Sequence, residues 1–134
     1  IEPVHQRLST VIIENLDWYE CIKRYDREGV VMYIDPAYPG NGVNYAHNMR
    51  RWEDHHSLAL VLSSTKSKWI LSSYDNPEVR KLFANYRIIP VSTASGLRKS
   101  KDTTERVVVK EVLILNYDTA VSDKSPQASQ TSLF

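Results

Sequence analysis

Val30-Val31-Met32-Tyr33-Ile34-Asp35-Pro36-Ala37-Tyr38 is the stretch whose reading decides the fold. Five apolar or aromatic residues run into an acid, a proline and a second aromatic. The run is short, β-branched at Val30, Val31 and Ile34, and preceded by Gly29, so it predicts a buried strand. Pro36 removes a backbone donor and fixes φ, which ends ladder pairing just after Asp35. In open α/β sheets ligands bind beyond the carboxyl ends of strands. An acid, a prolyl carbonyl and an aromatic ring are expected to meet there.

That trio suits chemistry on an amino group attached to a flat ring. Such a nitrogen is a poor nucleophile because its lone pair is delocalised. Two acceptors on its hydrogens, the Asp35 carboxylate and the Pro36 carbonyl, draw it toward tetrahedral geometry and free the pair. Tyr38 can stack on the ring, a contact worth roughly 1–3 kcal/mol per base, and enzymes that modify a base extrude it into such a pocket. Asp35-Pro36-Ala37-Tyr38 resembles the Asp-Pro-Pro-Tyr catalytic motif of amino-group DNA methyltransferases. The plainer reading is ordinary turn chemistry after a strand.

Outward from this stretch, 134 residues suffice for one modest domain with its own core. A net charge of +1 excludes a bulk electrostatic case for nucleic acid, so any DNA contact must come from local clusters. The single cysteine, Cys21, cannot form an internal disulfide, and no apolar run approaches membrane-spanning length. With no signal-peptide pattern in view, the expectation is a reducing, cytoplasmic setting and no membrane partner. A chain beginning at Ile1 rather than methionine reads as a processed or excised piece.

On the amino-terminal side, Val11-Ile12-Ile13-Glu14 reads as a short strand. Asn15 and Asp17 are N-cap types, and Trp18, Ile22 and Tyr25 recur at helical spacing up to Asp26. Strand, helix and the Val30–Ile34 strand make a right-handed βαβ unit the default expectation. On the carboxyl side, Pro39 to Arg51 reads as loop, a surface turn or a mobile lid. Trp52 to about Thr65 is helical, with Leu58, Val61 and Leu62 as its apolar stripe. His55 and His56 are adjacent rather than at metal-ligand spacing, so they read as surface or capping residues and no metal site is expected.

Trp69-Ile70-Leu71-Ser72 is the next buried strand. It closes on Ser73, Tyr74 and Asp75 before a helix with Pro77 in its first turn and Val79, Leu82 and Phe83 on its apolar face. If this strand lies parallel to Val30–Ile34, then Ser72, Ser73 and Tyr74 line the same pocket as Asp35; a turn with capping duty alone is the other reading. Tyr86–Ser92 carries Pro90, which confines it to an edge or a bulge. Arg106–Tyr117 is nearly apolar on both faces and belongs inside a sheet. Between them Arg98, Lys99 and Lys101 form the densest basic cluster, a phosphate-tracking hairpin or a solvated turn.

This order is similar to the carboxyl-terminal half of the bacterial and phage DNA adenine-N6 methylase family over roughly residues 1–117. The matching segments are Glu14-Asn15-Leu16-Asp17, Asp35-Pro36-Ala37-Tyr38, Asp54-His55 opening a helix, Leu71-Ser72-Ser73-Tyr74-Asp75, and Lys110 through Tyr117. The resemblance implies an α/β fold, the carboxyl-terminal part of a Rossmann-like methyltransferase sheet. That sheet is mixed, with an antiparallel final hairpin whose last strand lies inside the edge, and has helices on both faces. It implies adenine-N6 methylation of double-stranded DNA with S-adenosylmethionine as donor: Asp35, Pro36 and Tyr38 catalytic, Asp17, Trp18 and Asp35 against the donor, Ser72, Ser73 and Tyr74 about the base. Helix capping by Asp17 and core filling by Trp18 stay equally open. So do a non-catalytic DNA- or partner-binding role and methylation of an RNA base or a protein amide.

Two departures matter. Ala37 stands where the family has a second proline, which loosens the turn but keeps its functional atoms. None of Gly29, Gly40, Gly42 and Gly96 makes the strand–Gly-x-Gly–helix turn that holds the donor. The expectation is therefore a half-enzyme whose catalytic strand is an open edge, completed by a separate amino-terminal half or by self-association through that edge. Residues 118–134 form a polar tail too poor in apolar residues to fold alone. Gln130-Thr131-Ser132-Leu133-Phe134 resembles the peptide by which bacterial repair proteins dock on the replication sliding clamp; a chance tail, or Leu133-Phe134 packing on their own domain, is the other reading.

Overall fold

The computed structural model describes residues 2–38, 49, 51–99 and 106–119, and the side chains of all these except 2, 93–99 and 106–109. The tail from residue 120, with the clamp-like pentapeptide, and Lys101 lie outside the described residues, as does most of the 39–50 segment.

Strand β1 (Val31–Ile34) runs parallel to β2 (Lys68–Tyr74), with Met32 opposite Trp69 and Ile34 opposite Leu71. A parallel pair needs a long crossover, and it contains α3 (Trp52–Ser63). Strand β4 (Arg106–Leu115) is antiparallel to both β2 and β3 (Arg87–Lys99), giving the order β1-β2-β4-β3. The last strand thus sits inside, where its doubly apolar sequence belongs, and Pro90 lies on the outer strand β3, where a missing N–H costs no ladder bond. Strand β3 runs beyond the Ser92 end expected of it, to Lys99, and after a register shift Lys99 pairs with Arg106.

Helix α2 (Trp18–Tyr25) begins at Asp17, whose side chain accepts from the Tyr19 N–H, and ends at Asp26. The chain reverses at Gly29, whose φ of +83° is a left-handed value that glycine tolerates. Helix α4 (Pro77–Leu82) is capped by the Asn76 side chain on the Val79 N–H, with Pro77 in the first turn, where its missing donor is harmless.

Strand alternation sends Trp69, Leu71, Val112 and Ile114 to one face, where they are buried with Ile22 of α2, Leu58 and Leu62 of α3, and Val79 and Phe83 beside α4. Each such large side chain contributes about 1.5–3 kcal/mol by leaving water. The expected arrangement of helices on both faces is not found among the described residues. The buried residues of α2, α3 and α4 all join this one cluster, and Val31 and Tyr33 on the opposite face are 61% and 65% exposed.

Two further expectations are corrected. Residues 11–14 form no strand; Val11, Ile12 and Ile13 are exposed and have no ladder partner among the described residues, because an isolated β-branched run gains nothing until a neighbouring edge accepts it. With that strand absent, the parallel unit is β1–α3–β2 rather than one built on residues 11–34. A short helix that the sequence reading did not anticipate, α1 (Glu2–Leu8), precedes them. Strand β1, read as buried, is half exposed because it is the sheet's edge.

Candidate functional site

The parallel register that sets Ile34 beside Leu71 carries Asp35 to the level of Ser72, just past the end of β1. The Ser72 hydroxyl donates to Asp35 Oδ1 at 2.7 Å. Ser72 is buried while Asp35 is open on its other side and makes no ion pair among the described residues. One carboxylate oxygen is thereby fixed, and the second keeps its lone pairs for an incoming donor.

Tyr38, four residues past the strand, returns to the same place. Its ring meets that of Tyr74 edge to face, with centroids 4.5 Å apart and planes at 74°. Burial pushes the Tyr38 phenol up to about 12; the nearby Ser72 hydroxyl opposes that rise, while the negative charges of Asp35 and Glu111 add to it. A phenol held neutral beside a carboxylate presents a flat ring and a hydrogen-bond donor rather than a second anion.

Ser73 does not belong with Ser72 and Tyr74. Alternation along β2 turns it to the core face with Leu71, opposite Val112 in the ladder, where it is buried and its Oγ has no hydrogen-bond partner among the described residues. It is set apart from Asp35 by the thickness of the sheet. The reading of three consecutive residues as one pocket wall ignored the period of two.

Asp35 and Pro36 lie in the wall of a cavity of about 540 Å³ that also includes Trp18, Cys21, Met32, Met49 and Leu58. A second cavity of about 590 Å³ takes in Asn15, Asp17, Trp18, Met49, Arg51 and Asp54. Trp18 and Met49 line both, so the two hollows adjoin along one wall. Asp17 caps α2 and also lines the second cavity, which shares Trp18 with the cavity beside Asp35.

Sequence reasoning gave Met49 no role and, although Asp54-His55 is a matching segment, read His55 as a surface or capping residue. His55 is 4% exposed and its Nε2 lies 2.8 Å from the Met49 carbonyl oxygen; it is neither a surface nor a capping residue. Positions 55, 58, 59 and 62 follow helical spacing, and all four are buried. That stripe was legible, but a histidine is not ordinarily counted with apolar residues. His56 is exposed.

Arg98 and Lys99 lie in β3 at the far end of the hairpin, away from β1 in strand order. No group of three or more His, Cys, Asp or Glu among the described residues is arranged to hold a metal ion. No described helix is long and apolar enough to cross a membrane.

The family model for D12 class N6 adenine-specific DNA methyltransferases matches residues 1–97 of the chain, which include β1, α3, β2 and α4. No curated protein matches it.

Proposed function

Because the chain belongs to the D12 class N6 adenine-specific DNA methyltransferases, we propose that its Asp35–Tyr38 turn is the centre at which adenine N6 in double-stranded DNA is methylated. The observation that carries this reading is the Ser72–Asp35 hydrogen bond at the carboxyl ends of two parallel strands, beside a cavity. The order β1-β2-β4-β3, with its inner final strand, supports a Rossmann-like sheet of which these residues are the carboxyl-terminal part.

In this mechanism the free oxygen of Asp35 accepts one N6 hydrogen and the Pro36 carbonyl accepts the other. The nitrogen pyramidalises and its lone pair, withdrawn from the ring's π system, is localised on nitrogen to attack the donor's methyl group. Tyr38 carries the extruded base on its ring, and Tyr74 braces Tyr38. Ser72 acts on Asp35, holding the carboxylate in one orientation, rather than on the base. After methylation the amine's extra proton leaves by way of Asp35 to solvent, to which the carboxylate is open.

S-adenosylmethionine supplies an electrophilic methyl group when bound. The apolar cavity beside Asp35, with the half-buried Trp18 in its wall, fits the flat end of that molecule. Asp17 and Asn15 offer polar groups across Trp18. Upstream of β1 the sequence has Gly29 as its one glycine and no Gly-x-Gly for the donor's tail, so in this reading full donor affinity draws on a glycine turn from elsewhere. The exposed edge of β1 is where such a segment, or a second copy, would pair. From the sequence alone, Gln130–Phe134 adds a proposed tether to the sliding clamp.

The test is methyl transfer from labelled S-adenosylmethionine to double-stranded DNA, with and without the donor-binding half of a related methylase, read as N6-methyladenine. Label that appears with the wild-type chain and disappears with Asp35→Ala supports the proposal. Undiminished label with Asp35→Ala ends it. Calorimetric titration with S-adenosylmethionine separates an enzyme centre from a docking module: absence of donor binding even with the added half favours the module.

A further inference from the structure

We infer that His55 is a positioning residue that pins Met49 as the wall shared by the two cavities. This rests on the reading of those cavities as the donor cleft. His55 belongs to the first turn of α3 and faces inward, almost wholly buried, with its ring 5.9 Å from that of Trp52. Its Nε2 lies 2.8 Å from the Met49 carbonyl oxygen. A carbonyl only accepts, so Nε2 carries the hydrogen, and the tautomer is set by this contact. Among residues 39–50, Met49 is the described one. It packs against the core cluster and lines both cavities.

His55 thereby fixes the backbone at Met49 against the core cluster, at the wall that the two cavities share. Without it the part-buried Met49 carbonyl loses this partner, and the thioether has no fixed place between the hollows. A purely apolar residue at 55 would fill the core equally well, which is why the hydrogen bond, rather than the ring's bulk, is the feature to test.

The sequence contains two methionines, Met32 and Met49, and both line the cavity beside Asp35. Methyl-¹³C methionine labelling of the full chain thus gives two reporters, with Met49 assigned by Met49→Leu. In His55→Leu the Met49 signal should shift and broaden while that of Met32 holds. His55→Gln, whose amide can reach where Nε2 was, should restore it. If His55→Leu does not fold, His55→Asn replaces it, since its shorter amide falls short of the carbonyl. S-adenosylhomocysteine, in the presence of the added donor-binding half, should bind His55→Leu about tenfold more weakly than wild type, with recovery in His55→Gln. An unmoved Met49 signal in both the Leu and Asn variants overturns the inference, as does full ligand affinity in either. Wild-type protein that fails to bind S-adenosylhomocysteine even then counts against the donor-cleft reading, while the Met49 signal still decides what His55 holds.

Discussion

The Ser72 hydroxyl reaches from β2 across to the residue that follows β1 and donates to Asp35 Oδ1 at 2.7 Å. The two positions are 37 residues apart in sequence and meet only because the strands are parallel and in this register. A carboxylate held by one oxygen presents the other in a fixed direction, which is what a group that must grip a particular N–H requires. Ser72→Ala should therefore lower the rate of N6 methylation about tenfold to a hundredfold, with donor affinity little changed. Single-turnover kinetics beside calorimetry checks this; equal losses in binding and rate would assign Ser72 to the donor instead.

Tyr38 is expected to stay neutral well into alkaline solution, since its phenol is pushed up to about 12 by burial and by Asp35. The raised value means that the folded state favours the protonated phenol. Its contribution to stability is whole below about pH 10 and is lost as pH rises through the folded value. Ultraviolet titration of wild type minus Tyr38→Phe isolates this residue from the other seven tyrosines. A midpoint near 10 in the difference curve would place Tyr38 in water.

Asp26 joins the end of α2 to the start of β2, accepting at Oδ1 from the N–H groups of Lys66 and Ser67 and from the Ser67 hydroxyl, at 2.8, 2.9 and 2.9 Å. Burial works against its ionisation, but the Ser67 and Lys66 donors together outweigh burial and hold the carboxyl below its ordinary value. A depressed acid stabilises above its unfolded value, and that stability fades as pH falls through the lower folded one. Thermal melting of wild type should lose more between pH 5 and pH 3 than melting of Asp26→Asn. Parallel curves would mean that the three donors hold Asp26 no better than water does.

The edge of β1 should make the chain associate. Among the described residues, Val31 and Tyr33 are exposed on a strand with one free side, and Val11–Ile13 are exposed and unpaired nearby in sequence. Tyr33→Lys should leave stability within about 0.5 kcal/mol, as surface changes do, while lowering the mass seen by light scattering at high concentration. A wild-type chain that stays monomeric across the concentration range removes the edge as an interface.

A core change gives the contrast. Leu58 is 1% exposed and touches the cavity beside Asp35 as well as the core cluster. Leu58→Ala should cost about 2–5 kcal/mol by denaturant unfolding. A loss below 1 kcal/mol would show that the α3 face is loosely packed.

The sequence by itself determined most elements and singled out the residues at the end of β1. The cap at Asp17, the proline in the first turn of α4, the edge position of Pro90 and the inner position of the last strand all follow from local physics: an oxygen that satisfies an orphan N–H, a missing donor, a strand apolar on both sides. Asp35, Pro36 and Tyr38 stood out because an acid and a proline ending an apolar run form a short, local pattern. Tertiary structure decided what depends on partners. Residues 11–14 carry strand residues but gain no ladder, because pairing needs a neighbour that local sequence does not supply. Ser72 and Ser73 look alike in sequence, and only the pleat sends one to Asp35 and the other into the core. His55 reads as polar surface until α3 is laid on the sheet and its ring is the group that reaches Met49. Capping, backbone restriction and hydropathy act within a few residues, whereas register, facing and burial are set by segments dozens of residues apart.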